Sequence, residues 1–575
     1  MRHPHPAGAE ARIATADVLR ALDEVCDQAV LDTLTALVHH PLGRPRLLSV
    51  EGLFAGMQLC TNRHGKVLLD RTTAILQWAI PPQLRERFLI PERPDTAHGF
   101  EASYAVVRRL FHRLIDTMDP SPLPKNHRLD KTRAAQLLAA SRRPVLDERA
   151  GLLLTTTNAV IDASLADLAP HLHRNWDGSL ALDATPIRTY ARGLRTTGPD
   201  LATDPDAGWY VRTGDHRDPD LQPVTGTGKP GKEGKAKKRD RPVKAMFGYD
   251  ATLAIARNPA RDGTPGPDRA SDPHTPPAVV VGFTLDKPGH APGPNATRVL
   301  TDLHERGHPA GFLAADRAYN NTTPADFQLP ARRLGYHLVF DYRHDQLGIQ
   351  AGSQGALQIE GTWHCPATPQ VLITATRDLH DDTIDQETWI ARIVARTAFQ
   401  LVPKQHPAPD GRQRLSCPAA AGHLQCPIKK DSLGRGPHIP VADPAPSPTG
   451  PAKICTQQTI TIPAQAGAQH HQALPYGSED WQRVYFRLRN SVEHFNGYAK
   501  DPLYEAIEQP SRRIRGIAAQ TFLLAFQLAH TNRRKISRWL DTLPSPDQPP
   551  RRRPTRRRPV KPPGTWTPTG HLAPA

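Results

Sequence analysis

The feature that most constrains this chain is a change of apolar period. Up to about residue 150 the hydrophobic residues recur every three to four positions; beyond Asn175 they alternate in short runs, two of which end on or carry an aspartate. From Ala14 to His40, Val18, Leu19, Leu22, Val25, Val30, Leu34, Leu37 and Val38 mark one amphipathic helix, because a 3.6-residue stripe places them on a single face. A second runs from about Gly99 to Met118 and stops at Asp119-Pro120. Residues 1–150 therefore read as a helical N-terminal domain.

Residues Ser179 to Arg188 (SLALDATPIR) alternate Leu180, Leu182 and Ala184 against Ala181, Asp183 and Thr185, the period of a strand. Further strands are expected over Ala245–Ile255 and Ala278–Leu285. A helix should follow over Asn295–Arg306, closed by Gly307 and Pro309. A short buried strand, Gly311 to Asp316 (GFLAAD), then ends in a carboxylate. Three strands, a helix and a fourth strand are the front half of an α/β sheet of the ribonuclease H-like kind, so 175–344 is assigned to the first part of such a core. Residues 345–475, rich in Pro, Gly and Gln, read as a β-rich insertion with strand-prone pieces at Val371–Thr376 and Thr459–Ile462. Residues 476–543 return to helix and complete the core. The Pro/Arg-rich stretch 544–575 has no apolar periodicity and reads as a disordered basic tail.

Composition narrows the function classes. Net charge is +16, with Arg551–Arg553, Arg556–Arg558 and Lys561 clustered in a segment without acids. Such a balance suits a polyanion, since each phosphate met by Lys or Arg releases a condensed counterion, although a merely solvated basic surface has the same composition. The most apolar helical stretch, Gly516 to Ala529, is short and interrupted by Gln520 and Gln527, so no membrane span is expected. Six cysteines in 575 residues are too few for a disulfide scaffold, which favours the reducing cytoplasm, where a basic protein would associate with the nucleoid.

Two motif-like strings are set aside. Gly226-x4-Gly231-Lys232 lacks the Ser or Thr that a phosphate-binding loop needs after its lysine, Glu233 standing there instead. His304-Glu305-Arg306-Gly307-His308 has the zinc-protease spacing, but Pro309 obstructs the helix and Ala314 occupies the third ligand position. Cys365, Cys417, Cys426 and Cys455 all lie in the insertion without any C-x2-C pair, so unpaired buried thiols are expected there in preference to a structural zinc.

The segment Trp481 to Lys500 carries the most specific information. On a helical wheel Trp481, Tyr485, Leu488, Val492 and Ala499 form an apolar face, with Arg489, Glu493, Asn496 and Lys500 in a narrow arc beside it. Taken alone the arc also fits a surface ladder, Arg489 and Glu493 being i, i+4 neighbours. Taken with the strands it brings a third carboxylate towards Asp183 and Asp316. Three such groups repel unless divalent cations intervene, and an all-oxygen donor set suits magnesium or manganese.

At these residues the sequence resembles the DDE transposases of bacterial insertion sequences, in particular the group with the signature Y-x2-R-x3-E-x6-K. Here the signature reads Phe486-x2-Arg489-x3-Glu493-x6-Lys500, and Asp316-Arg317-Ala318-Tyr319 is similar to that group's D-[RK]-[GA]-Y. The chain departs at one position, Phe486 for tyrosine. The resemblance spans roughly Ser179 to Trp539 and implies a catalytic triad of Asp183, Asp316 and Glu493 holding two Mg2+ or Mn2+ ions, with Arg489 and Lys500 gripping phosphate near the cleaved end. It implies cleavage at the ends of a mobile element and strand transfer into target DNA, the partner being double-stranded DNA and the active complex a homodimer. A DNA-end-binding role for the N-terminal domain comes only by association. Two other readings stand beside this one: a DNA-binding descendant that keeps the fold without the activity, and a structure-selective nuclease that does not join strands.

Overall fold

A computed structural model describes residues 11–25, 27–39, 47–213, 243–258, 276–408, 410–445 and 450–543. The Gly226–Lys232 string and the basic tail, 544–575, lie outside the described residues.

The N-terminal part is helical, led by α1 (Val50–His64), α2 (Ala97–Thr117) and α3 (Arg143–Ala163). The stripe read as one helix over Ala14–His40 is two, Thr15–Asp23 and Gln28–Val38. The break follows from local chemistry: Asp27 is extended and its carboxylate accepts from the Val30 N–H at 3.1 Å, capping a new helix. Meanwhile Glu24 turns inward to pair with Arg533.

Beyond α3 the chain builds a mixed sheet from β1 (Leu180–Arg188), β2 (Gly208–Thr213), β3 (Val243–Ala256), β4 (Val279–Asp286), β5 (Phe312–Ala315) and β6 (His337–Phe340). Across its main part the order is β4-β3-β1-β5-β6, and β2 pairs with the first half of β3. β1 and β3 are antiparallel, as are β3 and β4; β5 runs parallel to β1, and β6 parallel to β5. Pro186 sits within β1 because β5 pairs only with Leu180–Leu182, so its missing N–H breaks no ladder bond on that side. Gly311 lets β5 approach β1: a Cβ there would meet Asp177 O at 2.6 Å and Ser179 N at 2.7 Å. The fold is α/β, as expected, and the strands and the intervening helix α4 (Pro292–Glu305) fall within a few residues of their expected places.

The outer edge of β4 is blunted by side chains that imitate a neighbouring strand. Asn532 accepts from Val280 N–H at 2.9 Å and donates to its carbonyl at 2.8 Å, while Asn158 on α3 accepts from Phe283 N–H at 3.0 Å. Polar caps of this kind close an edge that would otherwise template aggregation.

Residues 345–475 contain two three-stranded antiparallel sheets, β7 (Ile349–Ser353), β8 (Ala356–Ile359) and β9 (Thr362–His364), then β10 (Val402–Pro403), β11 (Gln413–Ser416) and β12 (Thr459–Ile462). Short helices separate them. Val371–Thr376 is helical, not a strand: it falls in the helices Gln370–Ile373 and Ala375–His380, with Pro369 at the N-cap and Leu372 and Ile373 buried. Tertiary burial overrides its β-prone composition.

Two long helices complete the molecule, α5 (Glu479–Ala499) across β1, β5 and β6, and α6 (Ile517–Leu540) against α1, α3 and β4. Gln520 and Gln527, which interrupt the apolar run of α6, receive the buried guanidinium of Arg512 at 3.0 and 2.5 Å. No helix among the described residues is long and apolar enough to cross a membrane.

Candidate active site

The site begins with strand register. Leu182 of β1 pairs with Ala315 of β5, and Ala315 pairs with Phe340 of β6. The next residues along these three parallel strands are Asp183, Asp316 and Asp341, a row of carboxylates at one edge of the sheet. They are not equivalent. Asp341 is buried and satisfied, receiving Arg317 Nε at 2.8 Å and the Tyr476 hydroxyl at 2.7 Å. Asp316 opens the turn Arg317–Asn321, accepting from the Arg317 N–H at 2.7 Å.

α5 supplies the other wall. Ser478 caps it by accepting from Trp481 N–H at 3.2 Å, and Trp481, Tyr485, Leu488, Val492 and Ala499 are buried against the sheet. That face fixes the rotation of the helix and brings its polar arc over β1. Arg489 lies 3.6 Å from the Asp183 carboxylate and 3.4 Å from Leu182 O, and Asn496 donates to the other Asp183 oxygen at 3.1 Å. Lys500, at the C-cap, pairs with Glu508 at 3.3 Å and acts electrostatically on Asp183. Glu493 is exposed on the same arc.

Burial pushes the Asp183 carboxyl above its ordinary range, and Asp316 reinforces this against the opposing pull of Arg489 and Lys500. Burial alone would weaken the Arg489 charge, but Asp183, Tyr485, Asp316 and Glu493 outweigh it and hold the guanidinium more firmly protonated. Arg489 thus stands electrostatically among all three expected carboxylates, and among the described residues its ion pair is with Asp183, not with Glu493. The three carboxylates do not gather to within 4.8 Å of one another; the only described group that does is His344, His380 and Asp381, at the surface.

Three residues of this neighbourhood escaped the sequence reading as functional groups. Asn496 was visible on the helical wheel but carried no charge to mark it. Tyr485, beside the signature position held by Phe486, is buried, stacked on Trp481 with ring centroids 4.8 Å apart, and feels Asp341, Arg489 and Asp316. Asp341 had no local signal, because only the pairing of β6 with β5 places it. The zinc-protease string is disposed of: α4 ends at Glu305, and His308, beyond Gly307, bonds Asp162 at 3.2 Å.

A largely buried cluster of cations packs around Tyr498 near the C-terminal end of α5, with Arg534 paired to Glu505. Tyr498 faces three cations, Arg534, Lys535 and Arg538, at 4.4, 5.0 and 5.2 Å from its ring centroid. Burial, with Arg257, Arg534 and Arg538 adding to it, lowers the Lys535 ammonium to about 7. The unfolded chain therefore binds the extra proton between about pH 7 and the ordinary lysine value, and the cost of charging Lys535 is complete below pH 7 and disappears as pH rises through that window. Lys535→Met is expected to raise the melting temperature more at pH 6 than at pH 10, as scanning calorimetry would detect; an equal shift at both would refute the assignment.

No protein-family model, curated protein or solved structure matches the chain.

Proposed function

We propose that this chain is a DNA transposase of the DDE type, built on a ribonuclease H-like core. The observation that carries the reading is the parallel pairing of β1 with β5, which sets Asp183 beside Asp316 at one sheet edge, under a helix whose Arg489 and Asn496 both reach Asp183. The strand order, with one antiparallel hairpin meander followed by two parallel strands, supports the core assignment.

By donor chemistry the residues suit a hard divalent cation, which would have to draw the three carboxylates closer together than they stand. The donors are carboxylate oxygens, Asp316 adds to the cost of ionising Asp183, and Glu493 is exposed towards solvent on the helix that covers them. Asp183, Asp316 and Glu493 would hold Mg2+ or Mn2+, which supplies activation of the attacking oxygen and stabilisation of the leaving one in a phosphoryl displacement. The protein's own groups do the positioning. Asn496 and Arg489 fix the orientation of Asp183, so its carboxylate is held before substrate arrives. Arg489 and Lys500 lie on one arc at α5 and its C-cap, and their charge would offset the phosphodiester brought against three acids. Arg538, exposed near the end of α5 beside Tyr498, would add a further contact to flanking duplex. The active complex with element ends and target would be a homodimer.

The test uses a duplex carrying one end of the element, taken from inverted repeats flanking the coding region, with a second duplex as target and Mg2+ or Mn2+. Strand transfer is the expected product, abolished by chelator. Cleavage without joining would replace this reading with a nuclease, and binding without cleavage would replace it with an inactive descendant.

A further inference from the structure

The insertion's cysteines are far apart in sequence, yet long-range pairing collects them. Cys365 follows β9 and its N–H bonds Phe399 O at 2.8 Å; Leu401 N–H returns to Trp363 O at 2.8 Å, and the next residue, Val402, pairs with Ser416. Cys417 follows Ser416 directly and bonds Gln458 O at 2.9 Å. Cys455 lies three residues before that acceptor, in the turn Lys453–Thr456. The Cys426–Lys429 turn is fastened to the same strand entry by Lys429 Nζ on Gln457 O at 2.9 Å. All four thiols belong to one apolar cluster, with Cys365, Cys417 and Cys426 buried and Cys455 partly so. Cys417, Cys455 and Cys426 are near enough to help burial push the Cys365 thiol up to about 12.

We propose that Cys365, Cys417, Cys426 and Cys455 form a structural zinc site that fastens the two sheets of the insertion to each other. Three of the four are followed by proline and open tight turns: Thr368 N–H bonds Cys365 O at 3.1 Å, Ala421 N–H bonds Cys417 O at 2.9 Å and Lys429 N–H bonds Cys426 O at 2.9 Å. At Cys365 the Ala367 N–H is aimed at the sulfur, and bonds of this kind orient and stabilise thiolate ligands. Cys60 offers a contrast. Its thiol donates to Lys66 O at 3.3 Å and is satisfied as a buried thiol, whereas among the described residues no thiol of the four donates to a carbonyl.

The insertion also needs a staple. The cluster around the four cysteines is small, with Trp363 and Phe399 its largest buried members, while Trp389 of the insertion packs into the main core instead; short sheets with little apolar burial are usually held by disulfides or a metal. The four cysteines are free thiols. Zinc–sulfur bonds of about 2.3 Å put tetrahedral sulfurs about 3.8 Å apart; no three of these sulfurs are mutually within 4.8 Å, so binding would draw the four sulfurs closer together. The lack of a C-x2-C pair argued against zinc in sequence, but the pairing of β11 with β12 supplies the proximity that such a pair normally encodes.

The experiment is elemental analysis of the full chain purified without chelator, followed by replacement of the metal with Co2+. About one zinc per chain is expected, with thiolate-to-cobalt charge-transfer and tetrahedral ligand-field bands on replacement. Cys417→Ser and Cys455→Ser should each lose the metal and the bands, and Cys60→Ser should keep both. The wild-type cobalt spectrum decides the matter should a variant fail to fold. Less than about half an equivalent of zinc with no cobalt bands, recovery of the four sulfurs as disulfides, or zinc retained undiminished by both serine variants would overturn the proposal. Bands without thiolate character would place the metal elsewhere, at the acidic site or at His344, His380 and Asp381, and overturn it equally.

Discussion

Glu493→Gln, Asp183→Asn and Asp316→Asn are each expected to lower end cleavage by orders of magnitude while duplex binding and melting temperature stay near wild type. The separation of effects follows from where the side chains lie. Glu493 is exposed, and the only ion pair Arg489 makes among the described residues is with Asp183, so Glu493→Gln breaks no salt bridge among the described residues and leaves the apolar face of α5 untouched. Asp183→Asn gives up the pair with Arg489 but also removes a carboxylate whose ionisation burial disfavours, and an amide oxygen can still accept from Asn496. Neither change should cost much stability. If the three carboxylates act as one metal-holding unit, pairs of these substitutions should be little worse than single ones, because losing one corner already disables the site. A surface-ladder role for Glu493 makes the opposite forecast, a small change in stability with activity kept. Robust cleavage of an end duplex by Glu493→Gln would therefore sink the catalytic assignment, and melting curves taken alongside would show whether any loss is merely unfolding.

How much of this was legible in the sequence depends on the range of the interaction involved. The strands carrying Asp183 and Asp316, and the rotation of α5, are set by local apolar period and by terminators such as Gly307, so they could be read within a few residues. The parallel pairing of β1 with β5 was inferable only from the order of elements, a rule about whole topologies. Elsewhere local signals lost to distant ones. Val371–Thr376 has a β-prone composition but is helical because Leu372 and Ile373 are buried in that form. The helix over Ala14–His40 is broken where Asp27 caps a second one and Glu24 reaches a partner more than 500 positions away, Arg533. Asp341, Asn496 and the cysteine cluster belong to the same class: each becomes meaningful only through a residue brought to it by strand pairing or helix docking.

The largest stability effect is expected at Arg396, where the insertion meets the rest of the fold. Arg396 is 2% exposed and Glu360 0%, and their charges pair at 2.7 Å. Thr376 donates to Glu360 at 3.0 Å, and Arg396 also donates to Tyr476 O at 3.2 Å. Tyr476 in turn donates to Asp341, which holds Arg317, the residue after Asp316. Removing one partner of a buried pair leaves an uncompensated charge out of water, a cost of about 3–5 kcal/mol, whereas replacing both by apolar groups of similar volume can be close to neutral. Arg396→Met should therefore destabilise the protein by about 3–5 kcal/mol in urea unfolding, and adding Glu360→Leu should recover most of that loss. The recovered double variant then tests the connection to the site. With Tyr476 no longer anchored by Arg396, the Asp341–Arg317 support of Asp316 loosens, so a stably folded double variant should cleave DNA more slowly at unchanged duplex affinity. Full activity in that variant would show that the pair serves only the packing of the insertion, and a loss of less than about 1 kcal/mol in Arg396→Met would show that Glu360 finds another partner or stays neutral.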